Sequence, residues 1–395
     1  MDDYDSLLVP DAVDFDKLMA DVLVTPWSGQ LDRKLMGYGE SIAEHIWSFL
    51  DPSTVYLVAT RDGQMVTWIG PGFYPPRQVG ISRIFRMGSE HWHQGDPYDR
   101  VQCATIIGHR LVVASRKGRV VSIPLCKGTS RTHFHRLGQG VLAMEGVQEA
   151  LWLCMQDGSL LWTNDTLTDC RPSATPPPPW AGNWKLAVGT AIYTACPYIS
   201  AVRCWCKMGE LRATFALPHV TDPAPPAADP YGVVQLRCLP AARARHDKLL
   251  VALLREIQIW DVAQHGDERS MTYVFRTPSA LLQVWPGPTD HELLIMMATE
   301  PMTTTHRQAW ISLLGGMDDP TKGSRVICHY NFSEDALALG HDQQVVIASP
   351  GTGLTSGGLT HHWVGLDPLD RRPQADITEA PVAILPLRVL VARRH

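Results

Sequence analysis

The chain has 395 residues, a formal net charge of −5, and 19% charged against 45% hydrophobic residues. Gly and Pro together make up about 15% of it, above a usual ~12%, while charge falls below a usual ~25%. This balance excludes a disordered chain, a coiled coil and a long basic nucleic-acid arm, and favours a large globular body rich in turns.

The first nineteen residues are acidic and alternate charge with aliphatic groups, without the basic start and unbroken apolar core of a secretory signal. No run approaches the ~18–20 apolar residues that span a bilayer. Nine cysteines, an odd number, fall partly inside apolar segments, as Cys103 and Cys154 do, and read as buried reduced thiols. A cytoplasmic or nuclear protein is expected. Residues 39–50 read as a helix, because Ile42, Ile46, Phe49 and Leu50 fall on one face and Asp51-Pro52 would end it. The stretch Ile42 to Ser53 loosely resembles part of an F-box. The strand-like run from Thr54 to Ala59 leaves that three-helix module no room, so the helix is expected to pack on the body or engage a partner.

From there on the pattern is an apolar strand, a tight turn and a second apolar strand. It runs from Val55 to Trp68, from Leu111 to Ile123 and from Leu151 to Trp162, with Gly63, Gly118 and Gly158 supplying the positive φ that hairpin turns need. Later copies are more degenerate: Ala191–Ala195 with Ala201–Trp205, Leu249–Leu254 with Ile257–Asp261, Leu293–Ala298 with Ala309–Leu313, and Gln344–Ser349 with His361–Leu366. A terminal run, Val382 to Val391, offers further strands. The turn glycines stand 55 and 40 residues apart, a spacing that suits one four-stranded sheet per repeat. Pro-rich stretches at 172–180 and 218–230 fall between repeats and read as extended loops.

Seven such units, several ending in Trp or Trp-Asp, resemble the WD40-type β-propeller family. Trp260-Asp261 matches its terminal dipeptide, and Trp68, Trp162 and Trp205 its aromatic part. Gly108-His109 and Gly340-His341 look like its Gly-His pair but lie immediately before the inner strand of the hairpin. The expected fold is therefore all-β: one propeller of seven four-stranded blades over residues 51–395, with a partly helical extension over 1–50. A terminal strand would complete one sheet and close the ring.

Several constellations hold residue types that can carry chemistry. His91 and His93, and His133 and His135, each place two imidazoles on one side of a strand, as metal ligands would, but without a zinc-site context. Cys204 and Cys206 flank a blade tryptophan and read as core thiols. The run Gly351 to Gly358 lacks the Lys-Ser/Thr ending of a P-loop and reads as a flexible hairpin loop. Asp318-Asp319 before Pro320 read as turn residues. Arg110, Arg116, Lys117 and Arg119, a later group of Arg243, Arg245 and Lys248, and the terminal Arg393-Arg394-His395 form local basic patches. No catalytic, cofactor-binding or metal-ligating residue is assigned.

The resemblance implies a non-catalytic scaffold that binds other proteins through propeller loops and the N-terminal extension within an intracellular assembly, with no membrane contact. Two alternatives stand beside it. One is an enzyme with a site in the central channel, which would need several Asp, Glu or His at equivalent inner-strand ends. The other is an RNA-associated propeller using the basic hairpin at 110–119.

Overall fold

The computed structural model describes residues 25–26, 50–61, 63–69, 78–83, 99–108, 110–125, 133–147, 150–173, 184–195, 201–218, 233–239, 246–263, 268–287, 292–298, 308–314, 330–333, 335–341, 344–350, 353–358 and 380–392. Among them every regular element is a β-strand, and the strands form seven antiparallel sheets that follow one another along the chain.

Blade 1 contains β1 (Thr25–Pro26), β2 (Leu50–Thr60), β3 (Gln64–Ile69) and β4 (Gln78–Arg83). Blade 2 is β5 (Val101–Ile107), β6 (Arg110–Ser115), β7 (Arg119–Pro124) and β8 (His133–Arg136). Blade 3 is β9 (Val141–Val147), β10 (Ala150–Met155), β11 (Leu160–Asn164) and β12 (Cys170–Pro172). Blade 4 is β13 (Lys185–Val188), β14 (Ile192–Ala195), β15 (Ala201–Trp205) and β16 (Leu211–Ala216). Blade 5 is β17 (Val233–Leu239), β18 (His246–Leu253), β19 (Glu256–Ala263) and β20 (Arg269–Arg276). Blade 6 is β21 (Leu281–Pro286), β22 (Leu293–Ala298), β23 (Gln308–Leu314) and β24 (Tyr330–Ser333). Blade 7 shows three strands among the described residues, β25 (Leu337–His341), β26 (Gln344–Ser349) and β27 (Gly353–Gly358).

The last strand, β28 (Pro381–Ala392), returns to blade 1 and pairs with β2 from Thr60 to Leu50. It touches β25 of blade 7 on one side and β5 of blade 2 on the other, while β5, β9, β13, β17, β21 and β25 touch one after the next. These seven strands are the inner wall of a closed ring, so the fold is a seven-bladed β-propeller whose last strand completes the first blade.

Each middle strand is buried on both sides because each blade is sandwiched between two others. In β10, Leu151, Leu153 and Met155 pack toward blade 2 while Trp152 and Cys154 pack toward blade 4. In β18, Leu249 and Val251 face blade 4 while Leu250 and Ala252 face blade 6. The strand's period of two thus divides one apolar run between two cores. This explains why the hairpins read as continuous apolar runs and why the chain carries so little charge.

On one face of the ring, the turn between the second and third strands of a blade is tied to the connections entering and leaving the blade. Gly118 O accepts from the Leu137 N–H at 2.7 Å, Gly140 O from Gln156 at 2.9 Å and Leu160 O from Ser173 at 2.8 Å. Arg255 O accepts from Thr277 at 3.0 Å in the same way. The expected turn glycines have φ of 82° (Gly63), 82° (Gly118) and 83° (Gly158). Gly158 has a second constraint: a Cβ there would lie 2.5 Å from the indole of Trp184.

Two expectations need correction. The Gly351–Gly358 run is not merely a loop, because Gly353–Gly358 forms β27 and pairs with β26 from Ser349↔Gly353 to Gln344↔Gly358. A strand whose one apolar residue is Leu354 takes its register from backbone hydrogen bonds and shows no hydrophobic pattern. The proposed partner strand His361–Leu366 lies outside the described residues. Likewise Asp51-Pro52 continue β2 instead of ending a helix, pairing with Val391 and Leu390. β3 joins β2 only from Val55 onward, so Pro52 stands where one side of the strand has no ladder to break. Residues 39–49 of the expected helix lie outside the described residues.

Candidate interaction site between blades 3 and 4

The core between blades 3 and 4 is unusually aromatic: Trp152, Trp184 and Trp205 are buried in it with Cys154, Leu160 and Ile192, and Trp162 packs against it half-buried. Trp152 and Trp162 are direct cross-strand partners on β10 and β11, and Trp162 is opposite Arg171 on β12. Directly opposed residues point to the same side of a sheet, so the three make a row facing blade 4. The Arg171 guanidinium lies 5.3 Å from the Trp162 ring centroid and is held by both oxygens of Asp169, at 2.7 and 3.0 Å.

Blade 4 brings the turn after β15 against this row. The turn closes through Gly209 N–H to Cys206 O and Cys206 N–H to Glu210 O, both 2.9 Å, with Gly209 at φ 78°. A cleft of about 190 Å³ remains between the blades, lined by Trp152, Trp162, Arg171, Pro172, Lys207 and Met208 among others. Met208 is 77% exposed, the most exposed large apolar side chain among the described residues. The site therefore offers an aromatic floor, a flexible apolar lip and two cations.

A second grouping lies on the inner wall. Glu145 of β9, Lys185 of β13 and Arg237 of β17 occupy three successive innermost strands. Burial pushes the Glu145 carboxyl up to about 7, although the Arg237 charge and a 2.8 Å bond from the Val188 N–H pull it down. Burial lowers Lys185 and Arg237, the latter against the field of Glu145. Gln235 accepts from the Val284 N–H at 2.7 Å, as Glu145 does from Val188, so both side chains also lace one blade to the next.

The residues singled out by sequence are scattered. Arg110 is 3% exposed and donates to Ser122 Oγ at 2.6 Å and Ser122 O at 2.9 Å, so it belongs to the blade interior and not to a basic surface. Arg119 pairs with the buried Asp99 at 3.2 Å, which leaves Arg116 and Lys117 as the exposed cations of that hairpin. This corrects the basic-patch reading on which nucleic-acid binding rested. His133 and His135 do share a face of β8, both half-buried. Burial and Arg110 lower the pKa of His133, with Asp165 opposing, and His135 Nε2 meets Cys170 Sγ at 3.9 Å. Among the described residues no group of three or more His, Cys, Asp or Glu is placed to hold a metal ion. Cys204 is fully buried, but a register shift after it leaves Cys206 half-buried in the turn beyond β15, so the two are not a core pair. His91, His93, Asp318, Asp319, Arg243, Arg245 and residues 393–395 lie outside the described residues. No helix among the described residues is long and apolar enough to cross a membrane.

Sequence reasoning noted Trp162 only as a blade aromatic and missed the cleft. The signal available was the pairing of Trp152 and Trp162 across one hairpin, which forces both rings to the same side. Nothing in the sequence announces Lys207 and Met208 as their neighbours.

No family model and no curated protein matches the sequence. Solved structures similar in fold include the Neurospora crassa Pan2 WD40 domain, 10% identical, covering 86% of this chain and 96% of that one with a TM-score of 0.47. Another is BBS1N in complex with ARL6DN, soaked with mercury, 15% identical, covering 62% of this chain and 71% of that one with a TM-score of 0.43. The strand order and ring closure of the chain itself carry the assignment: it has the fold of a WD40-like β-propeller.

Proposed function

We propose that the protein is a non-catalytic scaffold that binds other proteins within a multiprotein assembly, with the cleft between blades 3 and 4 as a principal contact surface. The observation that carries this reading is Met208, 77% exposed on a hydrogen-bonded turn beside Trp162. Burying it and the aromatic floor against a partner recovers apolar area, and Trp, Arg and Met are the side chains that protein interfaces favour. Cys154 and Cys204 are buried and form no disulfide among the described residues, which supports a reducing compartment, the cytoplasm or nucleus.

Affinity purification of the full-length protein with mass spectrometry of co-purifying chains tests this. Stoichiometric partner proteins are expected. Recovery of the protein alone, with a turnover activity, would overturn the reading.

A second reading, an enzyme with a channel site, draws on Glu145, whose raised pKa suits proton transfer near neutrality. The inner wall supports it less well. Among the described residues its one perturbed carboxylate, Glu145, is already engaged by the Val188 N–H, and its neighbours on the next blades are the cations Lys185 and Arg237.

A further inference from the structure

We propose that the cleft between blades 3 and 4 takes a single aliphatic or aromatic side chain from a partner's linear peptide, and that Asp or Glu residues flank this anchor. The inference rests on the scaffold reading above and specifies the chemistry of the partner.

Size sets the first limit. At about 190 Å³ the cleft is smaller than the ~300–1,000 Å³ of typical small-molecule sites, so it suits one anchoring side chain better than a cofactor or metabolite. The walls set the second. Trp152 and Trp162 give a rigid apolar floor, and Met208 is an unbranched, polarisable lip that can close over anchors of different shape. The turn bearing Met208 is fixed by its two backbone hydrogen bonds, so little ordering of the backbone remains to oppose binding.

Charge sets the third. Both charged residues that line the cleft, Arg171 and Lys207, are cations. The charge of Arg171 is largely met by Asp169, whereas Lys207 has no carboxylate partner among the described residues. Lys207 therefore supplies the attraction for an acidic flank and the repulsion of a basic one.

The same residues argue against single-stranded RNA. Single-strand binding needs successive bases on aromatic platforms along a basic groove, and this cleft has room for about one side chain. One unmet cation also gives too little phosphate neutralisation for salt-dependent binding.

The test is fluorescence anisotropy with the full-length protein and four labelled probes. These are a Phe-centred peptide with Glu and Asp flanks, its Lys-flanked and Ala-centred counterparts, and an oligouridine. The acidic Phe-centred peptide is expected to bind about tenfold more tightly than either counterpart, through charge reversal in the Lys-flanked one and loss of the anchor in the Ala-centred one. Lys207→Glu should abolish the preference for acidic flanks, and Met208→Ala should weaken the Phe-centred peptide several-fold. Both residues sit in an exposed turn, so neither change should move the melting temperature, which is measured alongside. Equal binding of acidic and basic peptides, indifference to Lys207→Glu, or tighter binding of the oligouridine would each overturn the proposal. Affinity purification of the wild type and Lys207→Glu in parallel separates the two readings. Partners retained in full by the variant would sink the cleft proposal and leave the scaffold standing, whereas a wild type without partners would sink the scaffold.

Discussion

Asp247 of blade 5 accepts a 2.8 Å hydrogen bond from the phenol of Tyr193 in blade 4, across the boundary between the two sheets. The same carboxylate accepts from Thr190 N–H at 2.8 Å, Thr190 Oγ1 at 2.9 Å and Ala191 N–H at 3.0 Å, so it grips the whole β13–β14 turn. The grip requires Gly189, because a Cβ there would come within 2.6 Å of Asp247 Oδ1. Asp247→Ala leaves the buried Ala191 N–H, the part-buried Thr190 N–H and a phenol without acceptors and should cost about 3 kcal/mol or more. Tyr193→Phe should cost about 1 kcal/mol. Gly189→Ala should also destabilise the wild type and should cost much less on the Asp247→Ala background. Urea unfolding of the singles and the double gives this coupling directly.

Glu145 makes stability depend on pH in a direction opposite to an ordinary ion-paired acid. Its folded pKa of about 7 lies above the ordinary 4.5, so the folded state favours the protonated carboxyl. Its contribution is complete below pH 4.5 and is lost as pH rises through 7. Glu145→Gln keeps an acceptor for the Val188 N–H and removes the titration. Relative to wild type, the variant should gain about 1–3 kcal/mol between pH 5 and pH 8. Melting temperatures of both proteins over that range check it, and parallel curves would refute it.

Two buried tryptophans should respond differently to the same change. Trp205 Nε1 donates to Thr194 Oγ1 at 2.8 Å, whereas Trp184 Nε1 is buried with no hydrogen-bond partner among the described residues. Replacement by Phe removes comparable apolar area in each case. At Trp205 it also strands the Thr194 hydroxyl, while at Trp184 it removes an unmet donor. Trp205→Phe should therefore be the more destabilising by about 1–3 kcal/mol in chemical denaturation.

The thiols should separate by reactivity. Burial pushes the Cys103 thiol up to about 12 and raises Cys238 as well, and Cys154 and Cys204 are fully buried. Cys206 sits in the turn at the cleft, where the Met208 N–H points at its sulfur from 3.3 Å. Brief treatment of the native protein with iodoacetamide at pH 8 should modify Cys206 and spare those four until denaturant is added. Peptide mass mapping reads the outcome.

The hairpins at the centre of each blade were legible because burial on both sides leaves β10 and β22 apolar throughout and gives β6 and β18 the apolar runs Leu111–Ala114 and Leu249–Leu253. The inner and outer strands were not. β9 mixes Val141 and Leu142 with Glu145, which accepts from the Val188 N–H of blade 4, and with Gly146, which Ile106 and Ile107 of blade 2 approach closely, and β20 is mostly exposed at the blade's outer edge. Neither keeps a clean alternation. Asp247 was invisible for a different reason: it looks like an ordinary polar residue ahead of a strand, and its partners lie 54 to 57 positions away. The cleft needed the same long-range information, since Trp162 and Met208 meet only once two blades are stacked.

The closing strand also orders the protein's birth. β2 leaves the ribosome about 320 residues before the β28 segment that pairs with its inner edge. At ~5–20 residues per second, that interval is roughly 15–60 seconds. Throughout it the first-made blade carries an open strand edge able to pair with any passing chain. Blades 2 to 6 each hold their own inner strand and can assemble as they emerge, but the circle shuts only after translation has passed β28. The nascent chain is thus most vulnerable at its oldest sheet, where a holding chaperone would do the most good.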